Sequence, residues 1–164
     1  MLSGGIVVKG APLSLMKSFQ RGIVRVQIAV EGAFESFARA AGRPAVLLCD
    51  RGVLDGAAYL PRPAWEELLR EEGLDEAELR RHRYAGVIHM VSAAFGVEGA
   101  YGTHSNAVRY EDVAGARAVD LRLRQAWGGH PRLRVIDTSQ DFEAKLRRVV
   151  AVASELLGVP PPPG

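Results

Sequence analysis

Three short runs of apolar residues, each followed by polar residues, most strongly constrain what this chain can fold into. The runs are residues 45–49, 86–91 and 133–136. Short, mostly apolar runs of this length are typical of strands buried on both faces of a parallel sheet. Stretches with helical spacing separate them, at about 12–41, 63–72, 75–82, 110–127 and 141–157. Strands that alternate with helices predict an α/β fold with a largely parallel sheet.

The longest predicted helix covers residues 12–41. Its apolar residues recur at steps of three and four: Phe19, Ile23, Val26, Val30, Phe34 and Phe37. Pro12 suits the first position of a helix, and Gly42-Arg43-Pro44 is a stop signal.

Three strands are few for a parallel sheet, since sheets more often have four to six. Either Gly5-Ile-Val-Val-Lys9 adds an edge strand, or part of the sheet lies outside this chain. The proline-rich tail, residues 159–164, cannot continue a helix and is typical of a linker. The sequence therefore predicts one domain over residues 1–158, followed by that tail.

Composition and charge exclude several classes of protein. The 21 basic and 19 acidic residues leave a net charge of +2, which argues against a dedicated nucleic-acid binder. The single cysteine, Cys49, excludes an internal disulfide and a cysteine-based zinc site, and is compatible with a reducing compartment. No apolar run approaches the roughly 18 residues of a membrane span, and no basic segment precedes the first apolar run. We expect a cytoplasmic protein without a transmembrane segment.

Two of the three predicted strands end in an aspartate, Asp50 and Asp137. In open α/β sheets, ligands bind at the carboxyl ends of the strands, where a carboxylate can orient a metal, a water or a hydroxyl group. Arg51 adds a guanidinium group that suits phosphate. The alternative is that Asp50 caps the next helix and pairs with Arg51.

Residues outside the strand ends carry weaker signals. Asp55 and Tyr59 are four apart and would share one face of any helix formed there. His89, inside an apolar strand, is expected to be a hydrogen-bonded core histidine, and His130 is expected to shape a turn. The four histidines do not share a metal-ligand spacing.

Several stretches resemble a known family. Cys49-Asp-Arg-Gly-Val-Leu-Asp-Gly-Ala-Ala-Tyr59 resembles the Walker-B-like strand end of P-loop nucleotide kinases. It is closer still to the AAA domain shared by the ribosylnicotinamide kinase NadR and the fly TRPL translocation-defect protein. Further stretches match in the same order: 87–96, 106–111 with 116–120, and 126–131 before 135–137.

The resemblance implies a three-layer, doubly wound parallel sheet that binds GTP or ATP with Mg²⁺. Asp50 would hold Mg²⁺ through water or act as a base, and Arg51 would bind phosphate. Residues from about 95 to 117 would correspond to a mobile lid whose arginines stabilise the transferring phosphoryl group, with Arg109 the first candidate and Arg117 the second. The alternative for both arginines is a solvated helix face paired with Glu111, Asp112 or Asp120.

Two further groups follow from the resemblance. The nucleotide would contact Asp137 and Thr138, together with Arg117. A nucleoside-like substrate would meet Asp55, Tyr59 and Glu111.

The family's glycine-rich phosphate loop, Gly-x-x-x-x-Gly-Lys-[Ser/Thr], does not occur in the 164 residues. The resemblance therefore predicts an N-terminally truncated domain that lacks the strand bearing this loop and the first helix. Two functions stay open: a kinase or other NTPase in the full-length parent, or a non-catalytic module. The module would bind a phosphoinositide, another anionic lipid or a protein partner in membrane trafficking.

Overall fold

A computed structural model describes residues 10–92, 113–138 and 141–160. The chain divides into two compact units, one covering Val7–Glu76 and a second that contains Ala77–Gly164. We call them the first and the second unit.

The first unit contains α1 (Leu13–Ala40), a 3-10 helix (Val53–Ala58) and α2 (Arg62–Glu71). The long helix predicted at 12–41 is confirmed, and it ends just before Gly42, whose φ of 63° is in the left-handed region that favours glycine. The core of this unit gathers side chains from all three helices, namely Val24, Val53, Leu54, Trp65 and Leu68. A Cβ on Gly56 would lie 2.6 Å from Trp65 Cζ3, so only glycine fits under the indole ring.

The strand predicted at 45–49 is wrong, because these residues belong to no helix or strand. Val46 is 53% exposed, Leu47 42% and Leu48 87%. A strand needs a neighbour that bonds its backbone and covers its apolar side chains. The described residues of the first unit contain no strand that could do so. The apolar run is therefore left in contact with solvent.

The second unit contains the sheet. α3 (Glu76–Arg81) crosses the boundary between the units, and β1 (Val87–Met90), α4 (Val113–Ala126), β2 (Leu133–Ile136) and α5 (Phe142–Leu157) follow. β1 and β2 are parallel, with Val87 paired to Leu133 and Met90 to Ile136. Both strands were predicted from their apolar runs and are confirmed.

The boundaries of α5 show why its sequence forms a helix there. Asp141 caps the first turn, since its side chain accepts a hydrogen bond from Ala144 N at 2.7 Å. Gly158, with φ of 68°, ends the helix. α5 packs against both strands.

The described residues therefore form a mixed α/β structure with a two-stranded parallel sheet. The larger three-layer sheet stays a prediction, and the edge strand considered for residues 5–9 lies outside the described residues. Among the described helices, none is both long and apolar enough to cross a membrane.

Candidate functional site

Asp50 and Arg51 lie in the first unit, between the exposed apolar run and the 3-10 helix. Asp50 is exposed, and its carboxylate has no partner among the described residues. It does not cap the next helix, because Gly52 precedes that helix and no side chain caps it. The capping alternative for Asp50 is therefore wrong, and its carboxylate is available to a ligand.

Arg51 has an unusual backbone. Its φ is 81°, and it is the one non-glycine residue with positive φ in the described chain. A side chain in this region of φ costs roughly 1–2 kcal/mol because Cβ approaches the backbone. Gln27 on α1 donates to Arg51 O from Nε2 at 3.2 Å and so supports this conformation.

The Arg51 side chain points to Asp55 rather than Asp50. Arg51 Nη1 lies 3.6 Å from Asp55 Oδ2, with the arginine side chain 62% exposed and the aspartate side chain 16%. Such an exposed pair adds little stability, at most about 1 kcal/mol. The pair keeps the Arg51 guanidinium group near Asp55, while most of the arginine side chain stays exposed and open to a phosphate.

The prediction that Asp55 and Tyr59 share a helix face is wrong. The helix there is a 3-10 helix with three residues per turn, so residues four apart do not align. Tyr59 follows its last residue and is 38% exposed. Tyr59 is therefore not brought onto one face with Asp55.

The predicted nucleotide-binding residues lie in the second unit. Asp137 directly follows β2, and Arg148 Nη1 donates to its Oδ1 at 2.6 Å. Thr138 comes next and is half-buried, and Arg117 is half-buried on α4. Arg109 and Glu111 lie outside the described residues. The strand-end position expected for Asp137 is confirmed, whereas its contact with a nucleotide stays a prediction.

A buried polar cluster at the end of β1 was not predicted. Asp120 on α4 is 7% exposed and Lys145 on α5 is 8% exposed. Asp120 Oδ1 accepts from Ser92 N at 2.8 Å, and its Oδ2 accepts from His89 Nε2 at 3.3 Å. Lys145 Nζ donates to Val91 O at 2.5 Å. The expectation that His89 is a hydrogen-bonded core histidine is confirmed.

The environment of Lys145 disfavours its charge. Burial lowers the pKa of its amine below the ordinary lysine value, while the carboxylates of Asp120 and Asp137 act in the opposite direction. A signal for this lysine was present in the sequence: Lys145 falls on the same helical stripe as Val149 and Val152 of α5. A charged residue on an apolar stripe predicts a buried partner.

His130 shapes the loop before β2, as expected. Arg132 N donates to its Nδ1 at 3.0 Å, so the ring proton is on Nε2, which donates to Tyr84 O at 3.1 Å. The ring is 5% exposed and also contacts Trp127 edge-to-face. Both nitrogens are used by the backbone, which gives His130 a structural role.

The residues present suit a weakly held magnesium ion rather than a caged one. The described residues contain no group of three His, Cys, Asp or Glu side chains that could hold a metal. Mg²⁺ usually keeps several waters and takes only one or two carboxylates together with substrate phosphates. The exposed, unpartnered carboxylate of Asp50 fits that mode.

The chain matches the model of a known protein family. A family model described as an AAA domain matches residues 14–145. No curated protein and no solved structure matches the chain.

Proposed function

The chain belongs to the AAA-domain family, and from that premise we propose that it supplies part of a P-loop site for GTP or ATP with Mg²⁺. The matched residues include the Asp50-Arg51-Gly52 turn and both strands of the sheet. The observation that carries the proposal is the turn itself, where an unpartnered acid adjoins an arginine held with positive φ. Strained residues of this kind cluster at functional sites.

Each residue of the turn has a distinct role in this proposal. Asp50 holds Mg²⁺ through water or takes a proton from a substrate hydroxyl group. Arg51 binds a phosphate oxygen, and Asp55 keeps the guanidinium group close to the turn until a phosphate replaces it.

The remaining predicted residues take the roles that the resemblance implies. Arg109 and Arg117 stabilise charge on the transferred phosphoryl group, Asp137 and Thr138 contact the nucleotide base, and Tyr59 and Glu111 contact a nucleoside-like substrate. In this proposal the complete protein is a nucleoside kinase or a related NTPase of the NadR and translocation-defect type.

The exposed apolar run supports the further proposal that another strand pairs with residues 45–48. Residues 45–48 make no hydrogen bond within the described part of the chain, although their side chains are those of a buried strand. A strand bearing the phosphate loop would bond this backbone and cover Val46 and Leu48. The loop's backbone N–H groups and lysine would then hold the phosphates.

Calorimetric titration with Mg·GTP and Mg·ATP tests the function. For the 164-residue chain we expect no binding tighter than about 1 mM, because the phosphate loop supplies most phosphate contacts. With a strand and phosphate loop added before Met1, we expect micromolar binding. That binding should weaken at least about tenfold in Asp50→Asn and in Arg51→Met, a loss of about 1.4 kcal/mol.

Arg39→Met serves as the matched control, because Arg39 is an exposed arginine of the same unit whose side chain pairs with Glu35, also on α1. It should leave the affinity unchanged.

If neither protein binds a nucleotide, the enzyme proposal fails. Vesicles containing a phosphoinositide would then test the alternative, a non-catalytic lipid-binding module. Micromolar binding by the 164-residue chain itself would overturn the assignment of the phosphates to a missing loop.

A further inference from the structure

One peptide group, at the point where the chain leaves β1, is held from both sides. Its carbonyl, Val91 O, accepts from Lys145 Nζ at 2.5 Å. Its amide, Ser92 N, donates to Asp120 Oδ1 at 2.8 Å. The preceding amide, Val91 N, donates to Ile136 O of β2 at 2.9 Å. Three successive backbone groups are therefore bound by α5, α4 and β2.

The two side chains that hold this peptide are buried and oppositely charged. A cation faces the negative end of the peptide dipole and an anion faces its positive end. Turning the peptide over would place the carbonyl oxygen against a carboxylate and the amide against an ammonium group. The arrangement therefore selects one orientation of the peptide plane, and polarisation of the peptide by both charges strengthens each hydrogen bond.

Stability alone does not account for such an arrangement. Burying two charges costs more than burying apolar side chains of similar size, and replacing a buried ion pair by apolar residues often stabilises a protein. What the two charges do add is a defined geometry for residues 91 and 92. Burial lowers the pKa of Lys145, and Asp120 and Asp137 act in the opposite direction. His89 donates to the second oxygen of Asp120.

The Val91–Ser92 peptide lies at the edge of the sheet where a ligand would bind. Residues 91 and 92 follow β1, and Asp137 follows the neighbouring parallel strand. Ligands of parallel sheets bind at this edge. The carbonyl of Val91 and the amide of Ser92 are already hydrogen-bonded within the protein. They therefore set the backbone conformation at this edge rather than bind the ligand directly.

We propose that Asp120 and Lys145 are positioning residues that together fix the Val91–Ser92 peptide at the ligand-binding edge of the sheet. This inference rests on the proposed function in one respect: the proposed function identifies the ligand of that edge as a nucleotide.

Amide hydrogen exchange followed by NMR tests the inference on the full chain. In Asp120→Ala, the Ser92 amide should exchange about tenfold faster, because it loses its hydrogen-bond acceptor. Lys145→Met releases the carbonyl of the same peptide and should also speed Ser92 exchange. The amides of β1 and β2 should keep their protection. Asp120→Asn should partly restore slow exchange, because its amide oxygen still accepts from Ser92 N. Arg147→Met, at a 71% exposed side chain on α5, is the control and should change nothing.

A double variant distinguishes an effect on the Val91–Ser92 peptide from an effect on the stability of the whole protein. Asp120→Leu/Lys145→Met removes both charges, so no buried charge is left without a partner. Its urea midpoint should exceed that of either single change, while its Ser92 amide still exchanges about tenfold faster than in the unaltered chain.

Three results would overturn the inference. They are unchanged Ser92 exchange in the single variants, slow Ser92 exchange in the double variant, and an equal rise in exchange across both strands. None of these measurements needs a nucleotide. Failure of the calorimetric titration would therefore count against the proposed function alone, and failure here against the positioning role alone.

Discussion

The backbone of Arg51 can be tested at the scale of a single residue. With φ of 81°, this position should prefer glycine, which has no Cβ. We expect Arg51→Gly to be more stable than Arg51→Ala by about 1 kcal/mol, because both changes remove the side chain and only glycine relieves the strain. Urea denaturation of the two variants measures the difference.

Arg39 provides the opposite control. It lies within α1, where alanine should be more stable than glycine by about 1 kcal/mol. If alanine were as stable as glycine at position 51, Arg51 would not be strained in solution. The same Arg51→Gly change should weaken nucleotide binding, since a guanidinium group is lost from the proposed phosphate site.

Individual site residues were predictable to different degrees. Asp50 and Asp137 could be chosen because each follows an apolar run, which is a local feature of sequence. Only the run before Asp137 forms a strand. The partners of Arg51 and Lys145 could not be chosen in this way. Lys145 meets Val91, which is 54 positions away in the chain, and only the fold decides that contact.

At the scale of elements, an ion-pair cluster joins α1 to α2. It consists of Lys17, Arg21 and Arg25 on α1, Glu67 and Glu71 on α2, and Glu72, which directly follows α2. A hydrogen bond from Lys17 lowers the pKa of Glu71, and one from Arg25 lowers the pKa of Glu72. The spacing of four residues between the three basic residues, and between Glu67 and Glu71, is visible in the sequence, but the pairing of the two helices is not.

The sign of these shifts sets a pH dependence. A carboxylate whose pKa is lower in the folded state contributes stability above its ordinary value of 4.5 and loses it as pH falls through the folded pKa. We expect Glu71→Gln/Glu72→Gln to lower the urea midpoint at pH 7. The difference from the unaltered chain should shrink as pH falls below 4.5.

Repeating the urea denaturation at high salt tests whether Glu71 and Glu72 stabilise the protein through their charges. In 1 M NaCl the screening length is about 3 Å, so the difference at pH 7 should also shrink. A difference that is the same at pH 7 and pH 3 would mean that the two glutamates act through packing rather than charge.

At the scale of the whole molecule, two leucines of the first unit differ in exposure: one belongs to the exposed apolar run and the other to the core. Leu48 is 87% exposed and Leu54 is fully buried. We expect Leu48→Ala to change the free energy of unfolding by less than about 0.5 kcal/mol and Leu54→Ala to lower it by about 2–5 kcal/mol. Urea denaturation at micromolar protein concentration gives both values.

A large loss of stability in Leu48→Ala would contradict the exposed position of the apolar run. Sedimentation of the unaltered chain at the same concentrations would then show whether a second copy covers it. If the proposed strand bearing the phosphate loop is added, Leu48→Ala should become destabilising, because Leu48 would then be buried.

The sequence by itself determined α1 to α5, both strands of the sheet and the strand-end position of Asp137, because these depend on local periodicity and on residues a few positions apart. It also predicted a strand at 45–49, since five apolar residues in a row carry the same signal whether or not a neighbouring strand is present. Only the tertiary structure decided that this run is exposed, that Arg51 takes a positive φ, and that Asp120 and Lys145 meet one peptide group. Those outcomes depend on contacts between residues far apart in the chain, which no local pattern contains.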